Sequence, residues 1–233
     1  MTDLARSDLE ALAKWDTPTI CNGLELLDAR YRTAGFTIEN MVCFDPGLKP
    51  IVGYARTAMI RAATPPQGKP EALRATRARY YAQVAEAPIP SISVIQDLDP
   101  TPGFGAFWGE VNTTIHKGLG CLGAVTNGSI RDLDACAKGF QMLAGKVAPS
   151  HGWVHLVDIA CEVNVFGMFV RPNDIVHADR HGAVVVPAEC VKKLPAAIEL
   201  LTRREAVILD AARAPGFSIE ILTKAMADSA EIH

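Results

Sequence analysis

The apolar residues of this chain recur at helical spacing near both ends and form short runs typical of strands between them. In the N-terminal part, we predict a helix with Thr17 as its N-cap and Pro18 as its first residue, which buries one apolar face. Ser7 opens a capping-box pattern that predicts a shorter helix before it. The helical spacing returns after residue 188 and predicts a helical segment to about residue 214, with a last helix after Phe217.

Between residues 51 and 186 the chain alternates apolar runs with polar segments. The predicted strands are Ile51 to Arg61, Ser91 to Gln96, Cys121 to Val125, Phe140 to Ala144, Ala160 to Asn164, Met168 to Arg171, Asp174 to Ala178 and Ala183 to Val186. Helices are predicted for Glu71 to Ala87, after Glu110 and from Arg131 onward, and loops for residues 31–50, the stretch before Trp108 and residues 146–157. The strand–loop–helix–strand order indicates a largely parallel sheet, and the later strands indicate meanders.

These patterns together predict an α/β fold with a helical C-terminal extension. A chain of 233 residues is long enough for one substantial core. Because neither a linker nor an internal repeat interrupts the pattern, we interpret residues 1–233 as a single domain.

Composition and charge narrow the class of protein. The net charge of −3 gives no electrostatic case for nucleic-acid binding. No apolar run approaches the ~20 residues that a membrane helix needs, and the N-terminal residues have no apolar signal core. The six cysteines are scattered without a CxxC pair, which is typical of reduced thiols. We therefore expect a soluble, cytoplasmic protein without membrane or nucleic-acid partners.

The stretch from Trp108 to Asp134 contains the residues that are the best candidates for ligand binding or catalysis. Arg131 and Asp132 come just after a predicted strand end, and Glu110 stands at the start of a predicted helix. In open α/β sheets the loops at the carboxyl ends of strands carry the ligands. Arginine can bind a carboxylate through two parallel hydrogen bonds, and an aspartate oxygen suits Mg²⁺ or Mn²⁺. We hypothesise one site for a divalent metal and a small carboxylate, such as a 2-oxo acid.

Residues around Glu110 add to this hypothesis. Peptide N–H groups at the start of a helix can hold an anion, and Gly109 allows a ligand to approach the backbone closely. Glu110 offers a further oxygen to the metal, directly or through water. The alternative is structural: an aspartate favoured by the dipole of its own helix, with Arg131 exposed to solvent.

Other polar groups allow two interpretations each. Asp97 and Asp99 follow a predicted strand and are either metal ligands or, as we favour, turn residues before Pro100. The basic residues of the helix from residue 71 (Arg74, Arg77 and Arg79) do not form one narrow stripe, which favours a solvated face over an anion site. Among the histidines, His151 is the candidate for substrate contact, because its loop could close over a ligand.

The same residues carry a family resemblance. Glu110 and Arg131 enclose twenty residues, giving Glu-x20-Arg-Asp. Together with Trp108-Gly109-Glu110, the segments 46–57, 127–134, 163–165 and 171–187 resemble the RraA-like family, over roughly residues 17 to 187. That family includes class II aldolases for 4-hydroxy-4-methyl-2-oxoglutarate and 4-carboxy-4-hydroxy-2-oxoadipate, and a regulator that binds and inhibits RNase E.

The resemblance implies a fold, an assembly and a chemistry. The family fold is a layered α/β/α-type sandwich, here with a core of about residues 17–187 and C-terminal helices of about residues 188–233. Family members form trimers or hexamers with active sites at subunit interfaces. The aldolases use Mg²⁺ or Mn²⁺ and form a pyruvate enolate, and many also decarboxylate oxaloacetate.

The resemblance also implies roles for individual residues. Asp132 would bind the metal, and Arg131 would bind the pyruvyl carboxylate and position a water for proton transfer. Gly109 and the backbone amides of Glu110, Val111 and Asn112 would bind the same carboxylate. Glu110 stands where the best-characterised aldolases carry aspartate, and would reach the metal directly or through water. Glu205 would approach the metal from a neighbouring subunit.

Three functions follow as expectations. The first is a metal-dependent carbon–carbon lyase acting on a 2-oxo acid, as an aldolase, an oxaloacetate decarboxylase or both. The alternative is a non-catalytic regulator that binds a ribonuclease. A third is an enzyme of the same scaffold with another substrate, whose pocket the aromatic residues near 104–108 and Trp153 would line, unless they pack between subunits.

Overall fold

The computed structural model describes residues 4–86, 88 and 90–233. Its helices are α1 (Arg6–Leu12), α2 (Thr17–Leu27), α3 (Pro70–Ala85), α4 (Glu110–Gly118), α5 (Ala188–Val191), α6 (Leu194–Arg213) and α7 (Ile219–Ala230), with a short 3₁₀ helix at Ala29–Arg32. Its strands are β1 (Val42–Cys43), β2 (Ile51–Arg61), β3 (Ser91–Asp97), β4 (Ala106–Trp108), β5 (Cys121–Thr126), β6 (Ser129–Ile130), β7 (Gln141–Ala144), β8 (Lys146–Val147), β9 (His155–Ile159), β10 (Val163–Val165), β11 (Met168–Val170), β12 (Ile175–Asp179) and β13 (Gly182–Val186).

A large mixed sheet forms the centre of the fold, in the order β1-β7-β5-β3-β2-β12-β13, with β9 also on β2. β2, β3, β5 and β7 are parallel, with Tyr54 opposite Ser91 and Ser93 opposite Ala124. The strands at both ends and β9 are antiparallel. This arrangement confirms the predicted α/β fold with a mixed sheet and a helical C-terminal part.

Alternating side chains of the strands enter different layers, because successive residues of a strand point to opposite faces. On one face, Ala58 and Ile60 of β2 pack with Tyr80 of α3 and with Trp108. On the other, Ala55 and neighbouring strand residues pack against the hairpin β10–β11. A third cluster joins α1, α2, α5 and α6 to β12 and β13. The sheet is therefore covered on both sides.

The terminal helices meet at close range. A Cβ atom on Gly23 of α2 would lie 2.9 Å from side-chain atoms of Leu194 and Ile198, so this glycine allows α6 to approach. The α2 cap differs from the prediction: Asp16, one residue before Thr17, accepts the Thr19 N–H at 2.9 Å. In α1, Asp8 accepts the N–H of Ala5, which stands in the cap position expected for Ser7.

Several predicted boundaries are wrong. Residues 133–135 form a turn where we predicted a helix from Arg131. Helix α3 begins at Pro70, and its predicted end at Ala87 lies outside the described residues. The helical segment after residue 188 is split into α5 and α6. Short strands β1, β4 and β8 occupy three stretches predicted to be loops.

These short strands matter most for the site. β4, β6 and β8 form a second, three-stranded sheet in which both pairs are parallel. Asn127, between β5 and β6, holds this sheet to β3, because its side chain accepts the Asp97 N–H at 2.7 Å and donates to the Asp97 carbonyl at 3.0 Å. None of the helices in the described part of the chain combines the length and apolar character of a membrane span.

Candidate active site

The candidate site lies where the three strands of the small sheet end. β4 leads into Gly109 and α4, β6 leads into Arg131 and Asp132, and β8 leads into the segment that carries His151. Because the strands are parallel, their carboxyl ends share one edge, and the groups that follow them meet there. The candidate site residues follow the ends of strands, as predicted, but these strands belong to the small sheet and not to the large one.

A cleft of about 390 Å³ opens at this edge. Its lining combines charged, aromatic and backbone groups: Pro66, Arg77, Ala106, Phe107, Gly109, Val111, Asn112, Arg131, Asp132, His151, Gly152, Trp153 and Val154. Five of the predicted site residues (Gly109, Val111, Asn112, Arg131 and Asp132) are thus together. Among the described lining residues neither Glu110 nor Glu205 occurs: Glu110 is exposed on the first turn of α4, and Glu205 is exposed on α6.

Asp132 has an unusual backbone conformation. Its φ of 54° lies in the left-handed region, which aspartate adopts more readily than most residues because its short polar side chain bonds locally. Its carbonyl accepts the N–H groups of Ala135 and Cys136 at 2.9 and 3.0 Å, which closes a tight turn. The turn, and not a helix start, therefore presents Asp132 to the cleft.

The carboxylate of Asp132 is held from two sides. One oxygen is 3.3 Å from Nη1 of Arg131, and the other accepts a long hydrogen bond of 3.4 Å from the Glu110 N–H. A Cβ on Gly109 would lie 2.6 Å from that second oxygen, so glycine is needed for this close approach. The carboxylate faces the N-terminus of α4, where the helix dipole favours negative charge.

Thr113 and Cys136 join the turn to α4. The Thr113 hydroxyl donates to the Gly109 carbonyl at 2.9 Å and accepts the Ala137 N–H at 3.0 Å. Burial raises the pKa of the Cys136 thiol, and the nearby carboxylates of Asp132 and Glu110 raise it further. The backbone of Glu110 lies beside the site, because its N–H faces the Asp132 carboxylate, although Glu110 does not line the cleft.

The donor set fits a weakly chelated hard cation better than a closed structural site. In the part of the chain that the structure describes, no group of three or more histidine, cysteine, aspartate or glutamate side chains could enclose a metal. Mg²⁺, however, usually keeps several waters and takes only one or two carboxylates from the protein. Asp132, about one-third exposed, with Glu110 nearby, meets that requirement.

A buried hydrogen-bonded chain supports α4 from behind. Nδ1 of His116 lies 2.6 Å from the Asn112 carbonyl, so it must donate, and Nε2 then accepts the Tyr80 hydroxyl at 2.8 Å. The Tyr80 oxygen in turn accepts from the Ser93 hydroxyl at 2.7 Å. The neutral imidazole is thus fixed in one tautomer, and burial lowers the His116 pKa from 6.5 to about 4.

Because the buried imidazole of His116 is neutral, we expect the protein to lose stability in acid. In the unfolded protein His116 binds a proton below about pH 6.5, whereas in the folded protein it does so only below about pH 4. The free energy of unfolding therefore falls as the pH falls through that interval. We expect His116 to account for roughly 3 kcal/mol of that loss. Urea unfolding between pH 4 and 7 should show a flatter pH dependence for His116→Gln than for the wild type.

Two other histidines help to interpret the pH dependence of the His116→Gln variant. His177 is also buried with a lowered pKa, so it contributes a loss of the same sign and remains in the His116→Gln variant. His151→Gln, at an exposed histidine, is the matched control and should reproduce the wild-type slope. An unchanged slope in His116→Gln would show that this imidazole carries a proton in the folded state.

The segment around His151 is anchored at several points. Its neighbour Ser150 accepts the Ala106 N–H at 2.9 Å, and the Trp153 N–H donates to the Ala62 carbonyl at 2.9 Å. Gly105 contacts the His151 carbonyl so closely that a Cβ there would collide with it. The structure brings His151 to the cleft, as expected, but as part of a fixed wall and not as a free lid.

The two aspartates after β3 serve the backbone. The Asp97 carboxylate accepts the N–H groups of Asp99 and Gly103 at 2.9 and 2.7 Å, and Asp99 accepts those of Ala62 and Ala63 at 2.8 Å each. Both side chains are buried, and burial raises the pKa of Asp97. This agrees with the turn interpretation of the sequence, and the turn supports the wall that carries Trp153.

Arg77 is exposed, as expected for a solvated face, but it also lines the cleft, which the sequence analysis did not predict. It stands three, four and seven positions before Tyr80, Tyr81 and Val84, which are buried or half-buried residues of α3. That spacing marks one helix face and was the available signal.

Comparison with known proteins identifies the family. A family model described as "RraA-like: Aldolase/RraA" matches residues 17–185. An uncharacterized protein from Methanocaldococcus jannaschii is 35% identical over 91 residues, which are 38% of this chain and 44% of that protein. The match thus spans less than half of this curated relative.

Two solved structures share the fold. An uncharacterized protein from Pseudomonas syringae pv. tomato str. DC3000 is 22% identical, with a TM-score of 0.73 over 97% of this chain and 96% of the other. RraAS2 from Streptomyces coelicolor, an unusual member of the RNase ES inhibitor RraA protein family, is 21% identical, with a TM-score of 0.68 over 87% of this chain and 97% of the other. The chain therefore belongs to the RraA-like family, which includes aldolases and decarboxylases as well as inhibitors of RNase E.

Proposed function

We propose that the protein is a divalent-metal-dependent lyase that cleaves a carbon–carbon bond of a 2-oxo acid. The observation that carries this proposal is the Asp132 carboxylate, held 3.3 Å from the Arg131 guanidinium and facing the first amide of α4 in one cleft. A carboxylate ligand, a guanidinium and a helix N-terminus together match a metal and the carboxylate of a 2-oxo acid.

Each residue has a proposed role. Asp132 holds Mg²⁺ or Mn²⁺, with Glu110 reaching it directly or through water. Arg131 and the amides that follow Gly109, those of Glu110, Val111 and Asn112, bind the substrate carboxylate, and Arg131 also positions a water for proton transfer. The metal supplies Lewis-acid stabilisation of the charge that develops at the keto oxygen, an effect worth several kcal/mol. Holding the substrate in one pose contributes further to the rate.

The assembly is part of the same proposal. Glu205 is exposed on α6, which packs against α2 and α7 of its own chain. It lies outside the described lining of the cleft, so we assign it to the metal of a neighbouring subunit in a homotrimer or hexamer. Apolar side chains are exposed near the cleft, among them Val111, Leu133, Val147 and Trp153, and they supply a surface for such contacts.

Metal-dependent pyruvate release tests the proposal directly. With oxaloacetate or 4-hydroxy-4-methyl-2-oxoglutarate as substrate, we expect turnover with Mg²⁺ or Mn²⁺ and at least about a tenfold lower rate with EDTA, because the metal stabilises the developing charge. The ratio of the two rates measures whether Glu110, in place of aspartate, supports aldol cleavage as well as decarboxylation.

The opposite result would redirect the assignment. If folded, oligomeric protein releases no pyruvate from either substrate, the proposed lyase activity on these acids is wrong. Ribonuclease binding that survives Arg131→Ala would then favour the regulator, the second function class in this family.

A further inference from the structure

We propose that Arg77 forms a second anion subsite, which selects substrates with a carboxylate at the end distant from the keto acid group. This inference rests on the proposed function, since it concerns the other end of the same cleft. It assigns a specificity-determining role to a residue of α3, an element that contributes none of the metal or keto-acid contacts proposed above.

The position of Arg77 is set by the inward face of α3. Tyr80 and Val84, three and seven positions later, are fully buried in the core. Tyr81, one turn after Arg77, donates its hydroxyl to Oδ1 of Asn112 at 2.7 Å, which ties α3 to the first turn of α4. Arg77 stands one turn before Tyr81 on the same face of α3. The contact between Tyr81 and Asn112 therefore brings Arg77 to the cleft.

In the part of the chain that the structure describes, no carboxylate pairs with Arg77, whereas Arg74 on the same helix pairs with Glu71 at 3.0 Å. Asp132 is the one carboxylate among the described lining residues, and Arg131 already lies beside it. The guanidinium groups of Arg77 and Arg131 balance the carboxylates of Asp132 and Glu110, so a bound Mg²⁺ would leave the site with two positive charges. A ligand with two negative groups would balance that charge.

The described residues around Arg77 in the cleft do not offer a further charged hydrogen-bond donor to the distant carboxylate. Nδ1 of His151 donates to the Gly152 carbonyl at 2.7 Å, so in the neutral ring Nε2 is an acceptor and offers no hydrogen to a carboxylate. Phe107, Pro66 and Trp153 are apolar walls of the same cleft and suit the carbon chain of the ligand. The guanidinium can bind a terminal carboxylate through two hydrogen bonds.

Binding of two acids of equal chain length tests this inference. The probes are 2-oxoglutarate, with two carboxylates, and 2-oxopentanoate, with one, titrated calorimetrically into the Mg²⁺-loaded protein. For Arg77→Gln we expect the Kd of 2-oxoglutarate to rise about tenfold or more, since a charged hydrogen-bonded partner is lost, and that of 2-oxopentanoate to change less than about twofold. Arg79→Gln, at an exposed arginine of the same helix outside the cleft, should change neither.

The outcomes separate the two proposals. If both acids bind and Arg77→Gln weakens them equally, or weakens neither, the subsite is overturned while the lyase proposal stands on pyruvate release. If the diacid preference depends on Arg77 but pyruvate is never released, the subsite is supported and the lyase is not. If neither acid binds the wild-type protein, the subsite is overturned, and pyruvate release alone decides the lyase proposal.

Discussion

Replacing Asp132 by asparagine is expected to lower metal-dependent pyruvate release at least about 100-fold and to leave the fold intact. Asp132 is the main proposed metal ligand of the cleft, and even indirect partners of a metal are typically worth 10- to 100-fold. Asparagine has nearly the same shape and, like aspartate, tolerates the left-handed φ of 54° at this position. The free energy of unfolding should therefore change by less than about 1 kcal/mol.

The control is Asp134→Asn, two residues along the same turn. Asp134 is exposed and lies outside the described lining of the cleft, so the rate should stay within about twofold of the wild type. Initial rates at saturating Mn²⁺, with urea unfolding of each variant, separate catalysis from stability. Full metal-dependent activity in Asp132→Asn would refute the role of this carboxylate.

Replacing Gly109 by alanine is expected to reduce activity about 100-fold through geometry alone. The new Cβ would lie 2.6 Å from Oδ2 of Asp132 and 3.3 Å from Cγ of Arg131, so both side chains must move away from the α4 N-terminus. Displacement of a reacting group by about 1 Å commonly lowers rates by about 100-fold. The backbone of Gly109 is extended, so alanine adds no strain to the chain itself.

Gly118→Ala provides the matched control at the other end of α4. A Cβ there would meet no atom within 4 Å, so we expect unchanged activity and a free energy of unfolding higher by about 0.5–1 kcal/mol, the usual gain from replacing a helical glycine. Assays of both variants, with thermal unfolding, distinguish crowding from a general effect of glycine substitution. Wild-type activity in Gly109→Ala would mean that the Asp132 carboxylate works from a different position.

The elements predicted from the sequence are those long enough to show the periodicity of apolar residues that is typical of a helix or a strand. β2 has the predicted bounds, because eleven consecutive residues alternate between two buried layers. The family assignment from Glu110, Arg131 and the later segments is confirmed by the match over residues 17–185. β4, β6 and β8 were missed, since two or three residues are too short to show a period, and their pairing joins positions 17 to 23 residues apart.

The site residues could be named from the sequence, but their geometry could not. Arg131 and Asp132 follow a strand as expected, yet the left-handed turn at Asp132 depends on hydrogen bonds that the local pattern does not display. The place of Arg77 at the cleft is not evident when the arginines of α3 are compared only with one another. Comparison with Tyr80 and Val84 shows the face they share with it.

The position of β2 at the centre of the large sheet has a consequence for the protein during its synthesis. One edge of β2 is covered by β3, which emerges soon after it, but the start of the other edge pairs with β12, and 113 residues separate Arg61 from Ile175. At a translation rate of ~5–20 residues per second, that gap corresponds to roughly 6 to 23 seconds. An open strand edge is a template for pairing with other chains. The nascent chain therefore keeps this edge of β2 without its native partner until β12 has left the ribosome.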